Sequence, residues 1–364
     1  MSERALSAFV ESVCGDSHLR VEDDLGDGFV RLKTSEAERR QAAHDIRSTE
    51  DAVIEMLRNA RDAGAQTIFL AMSRDENTRR LTMIDDGCGI PQAMHERIFE
   101  PRVTSKLDTM HFDKWGVHGR GMALYSIKVN AKHAFVATSD IDMGSAFVVE
   151  TDLTQLSEKT DQSTFPTFEV KDSGTLALRG PKNVIRTVCE FALESRNTCS
   201  VYFGSISEIA ATLYAFGKTA MPVATRTFCH DYASLPLCKR LAISADPAMF
   251  ARIAHSLGLV MSERNARRVM DGDIAPLDSM LDRLKTYSFS DVPARTKSKD
   301  KSKKLAKDAR GLKLDESDVR SLKAKGREIL LDLAPRYYLD SGAEVVVQVA
   351  SDAIKIIIPA EKLR

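Results

Sequence analysis

The most constraining feature of this chain is a helix pattern at residues 48–65, STEDAVIEMLRNARDAGA. Ser48 with Asp51 three residues later is typical of a helix start, and Gly64 is typical of a helix end. The apolar residues, which recur at helical spacing, are Val53, Ile54, Leu57 and Ala60. Because this apolar side has to be buried, we expect the helix to pack on a sheet.

The same helix carries a second stripe, which is polar. Glu55, Asn59 and Asp62 are spaced i, i+4 and i+7, so they lie along one line of the helix surface. A carboxylate such as Glu55 can take a proton from water, and the amide oxygen of Asn59 is a hard ligand suited to Mg²⁺. Taken by itself, such a stripe is more often a solvated face, so its meaning depends on the motifs that follow it.

A first glycine loop, DDGCGI at 85–90, follows strand patterns at 67–72 and 81–86. A carboxylate at a strand end, here Asp85, can accept hydrogen bonds from an exocyclic amine such as adenine N6. The glycines let the backbone turn sharply after it. On its own, this loop is also compatible with an ordinary turn.

A second glycine loop at 115–122 precedes another helix pattern. Around Gly116, Gly119 and Gly121, backbone N–H groups together with the positive end of the following helix can form a phosphate cradle. The order GxxGxG differs from the dinucleotide fingerprint, and no P-loop sequence is present. The loop therefore predicts a phosphate site of another kind.

Together these motifs resemble the GHKL ATPase family, which includes gyrase B, MutL, the Hsp-type chaperones and the histidine kinases. Four boxes occur in order: E-x-x-x-N, DDGCGI about thirty residues later, GxxGxG before a helix, and GSAF at 144–147. The resemblance covers residues 37–155. It implies an α+β chain that begins with a Bergerat fold, a mixed sheet with helices on one face. ATP would lie between the sheet and these helices under a mobile lid, residues 91–121.

The resemblance also implies a role for each matching residue. Glu55 would activate the attacking water as general base, Asn59 would hold the Mg²⁺ that bridges the phosphates, and Asp85 would bind the adenine amine. The two glycines that follow Asp85 would allow the base to approach closely. The other residues expected at the nucleotide are Asp62, Gly87, Gly89, Ile90, Thr104, Ser105, Lys106, Gly116, Gly119, Arg120, Gly121 and Met122. These roles agree with the needs of phosphoryl transfer, which depends on positioning and charge neutralisation more than on covalent chemistry.

Glu55 favours the hydrolysing members of the family. Histidine kinases usually have an asparagine at this position, since they transfer the phosphoryl group to a histidine rather than to water. IFEP at 98–101 is nevertheless similar to a box of those kinases, so a kinase that acts on another protein stays an alternative. His44 resembles a phosphoacceptor, but fifteen positions to Asn59 are too few for the helical hairpin that carries such a histidine.

Composition bounds the rest of the chain. Hydrophobic residues make up 43% and charged residues 29% of 364 residues, and no apolar run approaches the roughly 18 residues of a membrane span. Six cysteines without a CxxC pair predict free thiols in the cytoplasm.

We predict five segments: an ATP-binding domain (1–155), a mixed α/β accessory domain (156–240), a helical region (241–290), a basic linker (291–312), and a C-terminal helix plus β-hairpin (313–364).

Two features leave room for DNA as a partner. Residues 250–270 resemble a helix-turn-helix with its turn at Gly258, and residues 293–327 carry thirteen Lys and Arg against five Asp and Glu. The formal net charge of the whole chain is zero, which argues against a protein coated in basic charge. A nucleotide-gated DNA-binding regulator is therefore a second alternative.

The first expectation is an ATP-dependent conformational switch. Binding of Mg-ATP would order the lid, the closed state would form a homodimer or dock on an unidentified protein, and hydrolysis through Glu55 would reset it. In hydrolysing relatives a second domain often supplies a lysine to the γ-phosphate. Lys218, or a lysine near residue 182, is a candidate for this role.

Overall fold

A computed structural model of the protein describes residues 21–105, 111–113, 116–118, 121–170, 176–229, 231–289, 315–337, 345–349 and 354–358. The chain divides into two compact units, residues 1–293 and 294–364. The strands are β1 (Val21–Gly26), β2 (Phe29–Leu32), β3 (Thr67–Asp75), β4 (Thr78–Asp85), β5 (Val103–Thr104), β6 (His111–Asp113), β7 (Gly116–His118), β8 (His133–Asp140), β9 (Gly144–Asp152), β10 (Thr167–Val170), β11 (Leu176–Arg179), β12 (Ser200–Gly204), β13 (Val346–Val349) and β14 (Ile354–Ile357). The α-helices are α1 (Glu36–Ala43), α2 (Thr49–Asp62), α3 (Ala123–Asn130), α4 (Val184–Glu194), α5 (Ile206–Ala220), α6 (Val223–Phe228), α7 (Pro247–Ser256), α8 (Glu263–Met270), α9 (Met280–Phe289) and α10 (Glu316–Tyr337). Short 3-10 helices lie at Gln92–Met94, Arg97–Phe99, Tyr232–Ser234 and Leu237–Ile243.

A five-stranded mixed sheet forms the centre of the first unit. Its strand order is β12-β3-β4-β9-β8; the β12–β3 pair is parallel and the other three pairs are antiparallel. The register between β4 and β9 places Ser145 opposite Asp85. Asp85 therefore lies at the end of the central strand of the sheet. The predicted α+β class with a mixed sheet is confirmed.

Helix α2 has the start and the end that the sequence predicts. The Oγ of Ser48 accepts a hydrogen bond from the backbone N–H of Asp51 at 3.2 Å, which satisfies a donor of the first turn. The chain leaves the helix at Gly64, whose φ of +76° suits a residue without a side chain. Val53 and Leu57 are fully buried in a core with β3 and β4. This apolar side fixes the direction in which the polar stripe points.

Side chains alternate along the strands, so each face of the sheet has its own core. On β3, Ile68 and Leu70 belong to the core that contains α2, whereas Phe69 and Ala71 belong to a second core. Helices α5, α7 and α8 and the 3-10 helix at Leu237–Ile243 pack on this second face. The prediction that the helices of the N-terminal domain pack on one face of the sheet is confirmed, since α2 and α3 contribute to the first core. The second face is covered by helices from residues beyond 205, which supply the apolar side chains that pack on Phe69 and Ala71.

The turn between α7 and α8 docks directly on the second face. The carbonyl oxygen of Gly258 accepts hydrogen bonds from Thr82 Oγ1 at 3.1 Å and from Arg80 Nη2 at 3.2 Å. Gly258 has a φ of +80°, and a Cβ there would lie 2.5 Å from Val148 Cγ2. The glycine of the predicted helix-turn-helix is therefore required by close contact with β4 and β9.

Strand β12 lies beyond the domain boundary predicted at residue 155. It extends the N-terminal sheet by pairing with β3, and Arg283 of α9 donates to the carbonyl oxygen of Phe203 at 2.6 Å. The division into five segments stays a prediction. The sheet and both cores, however, contain residues from each side of position 155, and residues 1–293 form one compact unit.

The described part of the second unit consists of α10 and the hairpin β13–β14. The strands are antiparallel, with Val346 opposite Ile357, as the two β-branched runs predict. A Cβ on Gly326 would lie 2.7 Å from Val345 Cγ1, so helix and hairpin pack closely at this glycine. No helix in the described parts of either unit has the length and apolar character needed to cross a membrane.

Candidate functional site

A cavity of about 150 Å³ lies between α2, the end of β4 and strand β5. The predicted nucleotide residues that line it are Glu55, Asn59, Asp62, Asp85, Gly89, Ile90, Thr104, Ser105 and Gly121. Apolar residues that form much of the remaining wall are Phe29, Met56, Ile98, Val103, Leu124 and Phe147. The fold thus brings residues from all four sequence motifs to one cavity with an apolar wall.

The polar stripe of α2 faces this cavity and includes a buried arginine. Arg58, with 5% of its side chain exposed, donates from Nη1 to Oε1 of Glu55 one turn earlier. Asn59, the next residue, has a buried Nδ2 without a hydrogen-bond partner in the described residues. A buried amide without a partner costs free energy, and such an atom is often completed by a ligand. The stripe therefore lines a cavity and is not a solvated face.

Asp85 is a buried acid of the cavity whose pKa is shifted by its surroundings. Its side chain is 2% exposed, and burial raises its pKa to about 7, with a further raising contribution from the charge of Asp86. The N–H of Gly87 donates to Oδ1 of Asp85 at 2.9 Å and, with a weaker backbone hydrogen bond from Ser145, opposes this rise in pKa. A buried carboxyl group that opens onto an apolar wall is suited to accepting a ligand N–H.

The glycines of the first loop are required by the protein backbone itself. Gly89 has a φ of +73°, and a Cβ there would lie 1.8 Å from the carbonyl oxygen of Asp140. A Cβ on Gly87 would lie 2.9 Å from the carbonyl oxygen of Ala63. Gly89 lines the cavity, whereas Gly87 is not among its lining residues. The steric reason for both glycines is the approach of neighbouring loops, in addition to any approach of a base.

The lid region is described in part. Gly121 lines the cavity with a φ of +67°, and a Cβ there would lie 3.1 Å from the carbonyl oxygen of Val103. Gly116 begins β7, which pairs with β6 as a short hairpin. Met122 precedes α3 and accepts the N–H of Ser126, but it is not a lining residue. Lys106, Gly119 and Arg120 lie outside the described residues.

Lid strand β5 is held by the N-terminal hairpin. Val30 and Arg31 of β2 pair with β5, and the side chain of Arg31 forms an ion pair with Glu100. Arg102 forms another ion pair with Glu38 of α1. The strand pairing and the two ion pairs therefore connect the lid base, residues 100–105, to residues 21–43.

Residues 44–155 match a family described as histidine kinase-, DNA gyrase B-, and HSP90-like ATPases. This segment is a GHKL ATPase domain. Two relatives, both named DNA mismatch repair protein MutL and from two strains of Clostridium perfringens, are 32% and 31% identical to the chain over 121 residues. Each match covers 32% of this chain and 18% of the relative, so the chain spans less than a fifth of their length.

The donor set of the GHKL domain fits Mg²⁺ held jointly with phosphates. In the described residues there is no cluster of three or more His, Cys, Asp or Glu that would hold a metal alone. Mg²⁺ commonly takes one or two protein oxygens and completes its shell with phosphate oxygens and water. The amide oxygen of Asn59, which lines the cavity beside Glu55, is a ligand of the type that this mode requires, whereas its buried Nδ2 is a donor suited to a phosphate oxygen.

Arg58 and Phe29 are among the lining residues of the cavity that are not predicted as site residues. Arg58 is detectable in principle, since it lies three positions after Glu55 on the same helix. Phe29 lies on β2, outside the matched segment, and no local pattern links it to a site formed mainly by residues 55–147. Lys218 lies on α5, which packs on the opposite face of the sheet, with its Nζ 4.7 Å from the ring centroid of Tyr214. It is therefore not placed at the cavity.

Proposed function

We propose that this protein binds and hydrolyses Mg-ATP and uses the cycle as a conformational switch. The observation that carries the proposal is one cavity in a GHKL domain that is lined by Glu55, Asn59 and Asp85. A polar stripe on the helix and a buried carboxyl group on the sheet face each other there. This arrangement supports recognition of a nucleotide at one end and phosphate chemistry at the other.

Each residue would contribute one step. Asp85 would accept the adenine amine, Glu55 would take the proton of the attacking water, and Asn59 would hold the metal. When bound, Mg²⁺ would neutralise charge on the phosphate oxygens. The residues proposed to surround the phosphates are Asp62, Thr104, Ser105, Lys106, Gly116, Gly119, Arg120, Gly121 and Met122.

Switching would start at the lid. Thr104 and Ser105 line the cavity, and β5 is paired with β2. A nucleotide that contacts these two residues would therefore also displace the β1–β2 hairpin. The closed state would then form a homodimer or recruit a protein partner, and hydrolysis would release it. A switch of this kind explains why the site is connected to elements outside residues 44–155.

The test measures free phosphate and protein-bound label together, using full-length protein, Mg²⁺ and γ-labelled ATP. We expect free phosphate, with a loss of about 100-fold or more in Glu55→Gln, because general-base catalysis typically contributes that much. Above pH 7, where the carboxyl group is ionised, Asp85→Asn is expected to weaken ATP binding about 10- to 100-fold, the usual effect of removing a hydrogen-bonded charge. Glu36→Gln, an exposed acid paired with Arg40 on α1, serves as the control and should change neither quantity.

Two other outcomes would replace the proposal. Label on the protein, unchanged in Glu55→Gln, would indicate a kinase, and unchanged ATP affinity in Asp85→Asn would mean that the adenine site is misplaced.

DNA binding is a second candidate because the arginine face of α8 is exposed. Ala266 and Val269 are buried against the second face of the sheet, whereas Arg264, Arg267 and Arg268 are exposed. The two similar proteins are named for mismatch repair of DNA. This candidate requires duplex binding that weakens with salt and with Arg264→Ala and Arg267→Ala together.

A further inference from the structure

Arg58 is a buried cation inside the cavity, next to the residues proposed for hydrolysis. It occupies α2 three residues after Glu55 and directly before Asn59, and all three line the cavity. Its side chain is 5% exposed, and that of Glu55 is 21% exposed. A guanidinium stays charged in proteins, so its burial is costly unless carboxylates and hydrogen bonds compensate.

The ion pair engages one defined oxygen of Glu55. Nη1 of Arg58 donates to Oε1, which fixes the rotation of the carboxylate about its last bond and favours its ionised form. A general base has to be both ionised and aimed at its water, because small displacements of catalytic groups reduce rates strongly. The contact meets both requirements for a base at this position.

We propose that Arg58 is the positioning residue for Glu55: by holding Oε1 it sets the orientation in which the carboxylate receives the proton of the attacking water. The inference rests on the proposed function. In the reaction, the water oxygen bonds to the γ-phosphorus, and the bond from that phosphorus to the β–γ bridging oxygen breaks. ADP leaves with the electron pair, and the water proton passes to Glu55. Arg58 acts through Glu55 and does not itself exchange a proton.

The chain offers a matched control in a second buried ion pair. Arg79, at the other end of β4 from Asp85, donates from Nε and Nη2 to Glu158 at 2.8 and 2.7 Å. Its side chain is 7% exposed and that of Glu158 is 9% exposed, so burial matches that of Arg58. Neither residue lines the cavity. Arg79→Met therefore removes a comparable ion pair without touching the proposed site.

The experiment compares steady-state ATP hydrolysis and ATP affinity in full-length variants. For Arg58→Met we expect kcat to fall about 10- to 100-fold, while KM and the Kd for ATP change less than about 3-fold. Arg58→Lys should restore part of kcat, since the ammonium can still donate to Glu55. In a Glu55→Gln background, Arg58→Met should cause no further loss. Arg79→Met should lower the melting temperature and leave kcat per ATP-binding-competent molecule unchanged.

The outcomes separate this inference from the function on which it rests. If Glu55→Gln hydrolyses ATP normally, the proposed function fails. If hydrolysis depends on Glu55 but Arg58→Met and Arg58→Lys are as active as the parent protein, only the role of Arg58 is refuted. A rise in the Kd for ATP with unchanged kcat would make Arg58 a phosphate ligand instead and would also refute it. If Arg58→Met does not fold, the kcat and KM of Arg58→Lys decide, because that variant retains a buried cation.

Discussion

At the scale of single residues, the cavity combines charged groups with an environment that penalises charge. Asp85 is almost fully buried and has a raised pKa, whereas Glu55 is in contact with a cation, Arg58. Two carboxyl groups in one cavity are thus held in different electrostatic surroundings, one by burial and one by an ion pair. Such separation allows one acid to bind a ligand amine while the other receives a proton.

The raised pKa of Asp85 predicts a dependence of stability on pH. Because the pKa of this carboxyl group is about 7 in the folded protein and its ordinary value is 3.8, the folded state retains a proton that the unfolded state loses. The stabilising contribution is complete below about pH 4 and is lost as pH rises through 7. We expect the free energy of unfolding of Asp85→Asn to fall less between pH 4 and 7 than that of the parent protein, in urea titrations without nucleotide. Parallel pH profiles for the two proteins would contradict this.

At the scale of elements, the second face of the sheet is closed by helices that join it through a glycine turn. The carbonyl oxygen of Gly258 in the α7–α8 turn accepts a hydrogen bond from Thr82, which is buried in β4 on that face. The apolar residues of α8 lie in the same core as Phe69 and Ile84. The sequence makes the α7–α8 pair a candidate for DNA binding. In the structure, the pair also covers the second face of the sheet.

Gly258→Ala is expected to destabilise the protein by about 2–4 kcal/mol. The alanine would have to keep an unfavourable positive φ, and its Cβ would lie 2.5 Å from Val148 Cγ2. Backbone strain and overpacking therefore both lower the free energy of unfolding. Gly272→Ala is the matched control: its φ is +86°, but a Cβ there would meet nothing within 4 Å. That control should cost only the backbone strain, about 1 kcal/mol. Equal losses for both variants in urea unfolding would show that contact with the sheet contributes nothing.

At the scale of the whole molecule, the sheet and the second core of the GHKL domain include residues from beyond position 155. Strand β12 adds the parallel edge of its sheet, and helices beyond residue 205 bury Phe69, Ile84 and Ala146. The first compact unit ends at Pro293. This compact unit is nearly twice as long as the domain predicted at residues 1–155.

A truncation series tests this organisation. We expect residues 1–155 to aggregate or to lack a cooperative melting transition, since the second face would be exposed to water. Residues 1–293 should remain monodisperse, melt cooperatively and bind ATP with the affinity of the full chain. The measurements are size-exclusion chromatography, thermal unfolding by circular dichroism, and calorimetric titration with ATP. A soluble 1–155 fragment with full ATP affinity would support the domain boundary predicted at 155.

Prediction from sequence succeeds where a signal is local. The helix at 48–65 is recognisable from its cap, its apolar spacing and its terminal glycine, all within eighteen residues. For Arg58 the spacing to Glu55 is visible in the sequence, but arginine on a helix is usually a solvated residue, and only the burial of its side chain shows otherwise. Phe29 and β12 carry no local sign of their partners, which lie far away along the chain.

The sequence by itself determined the family of residues 44–155, the polar stripe on α2 and the position of Asp85 at a strand end, because periodicity, caps and motif order are encoded by near neighbours. Only the tertiary structure decided that both faces of the sheet are covered, that β12 completes it and that Arg58 pairs with Glu55 inside the cavity. These features depend on contacts between distant segments and on which side chains become buried. A local sequence pattern contains neither kind of information.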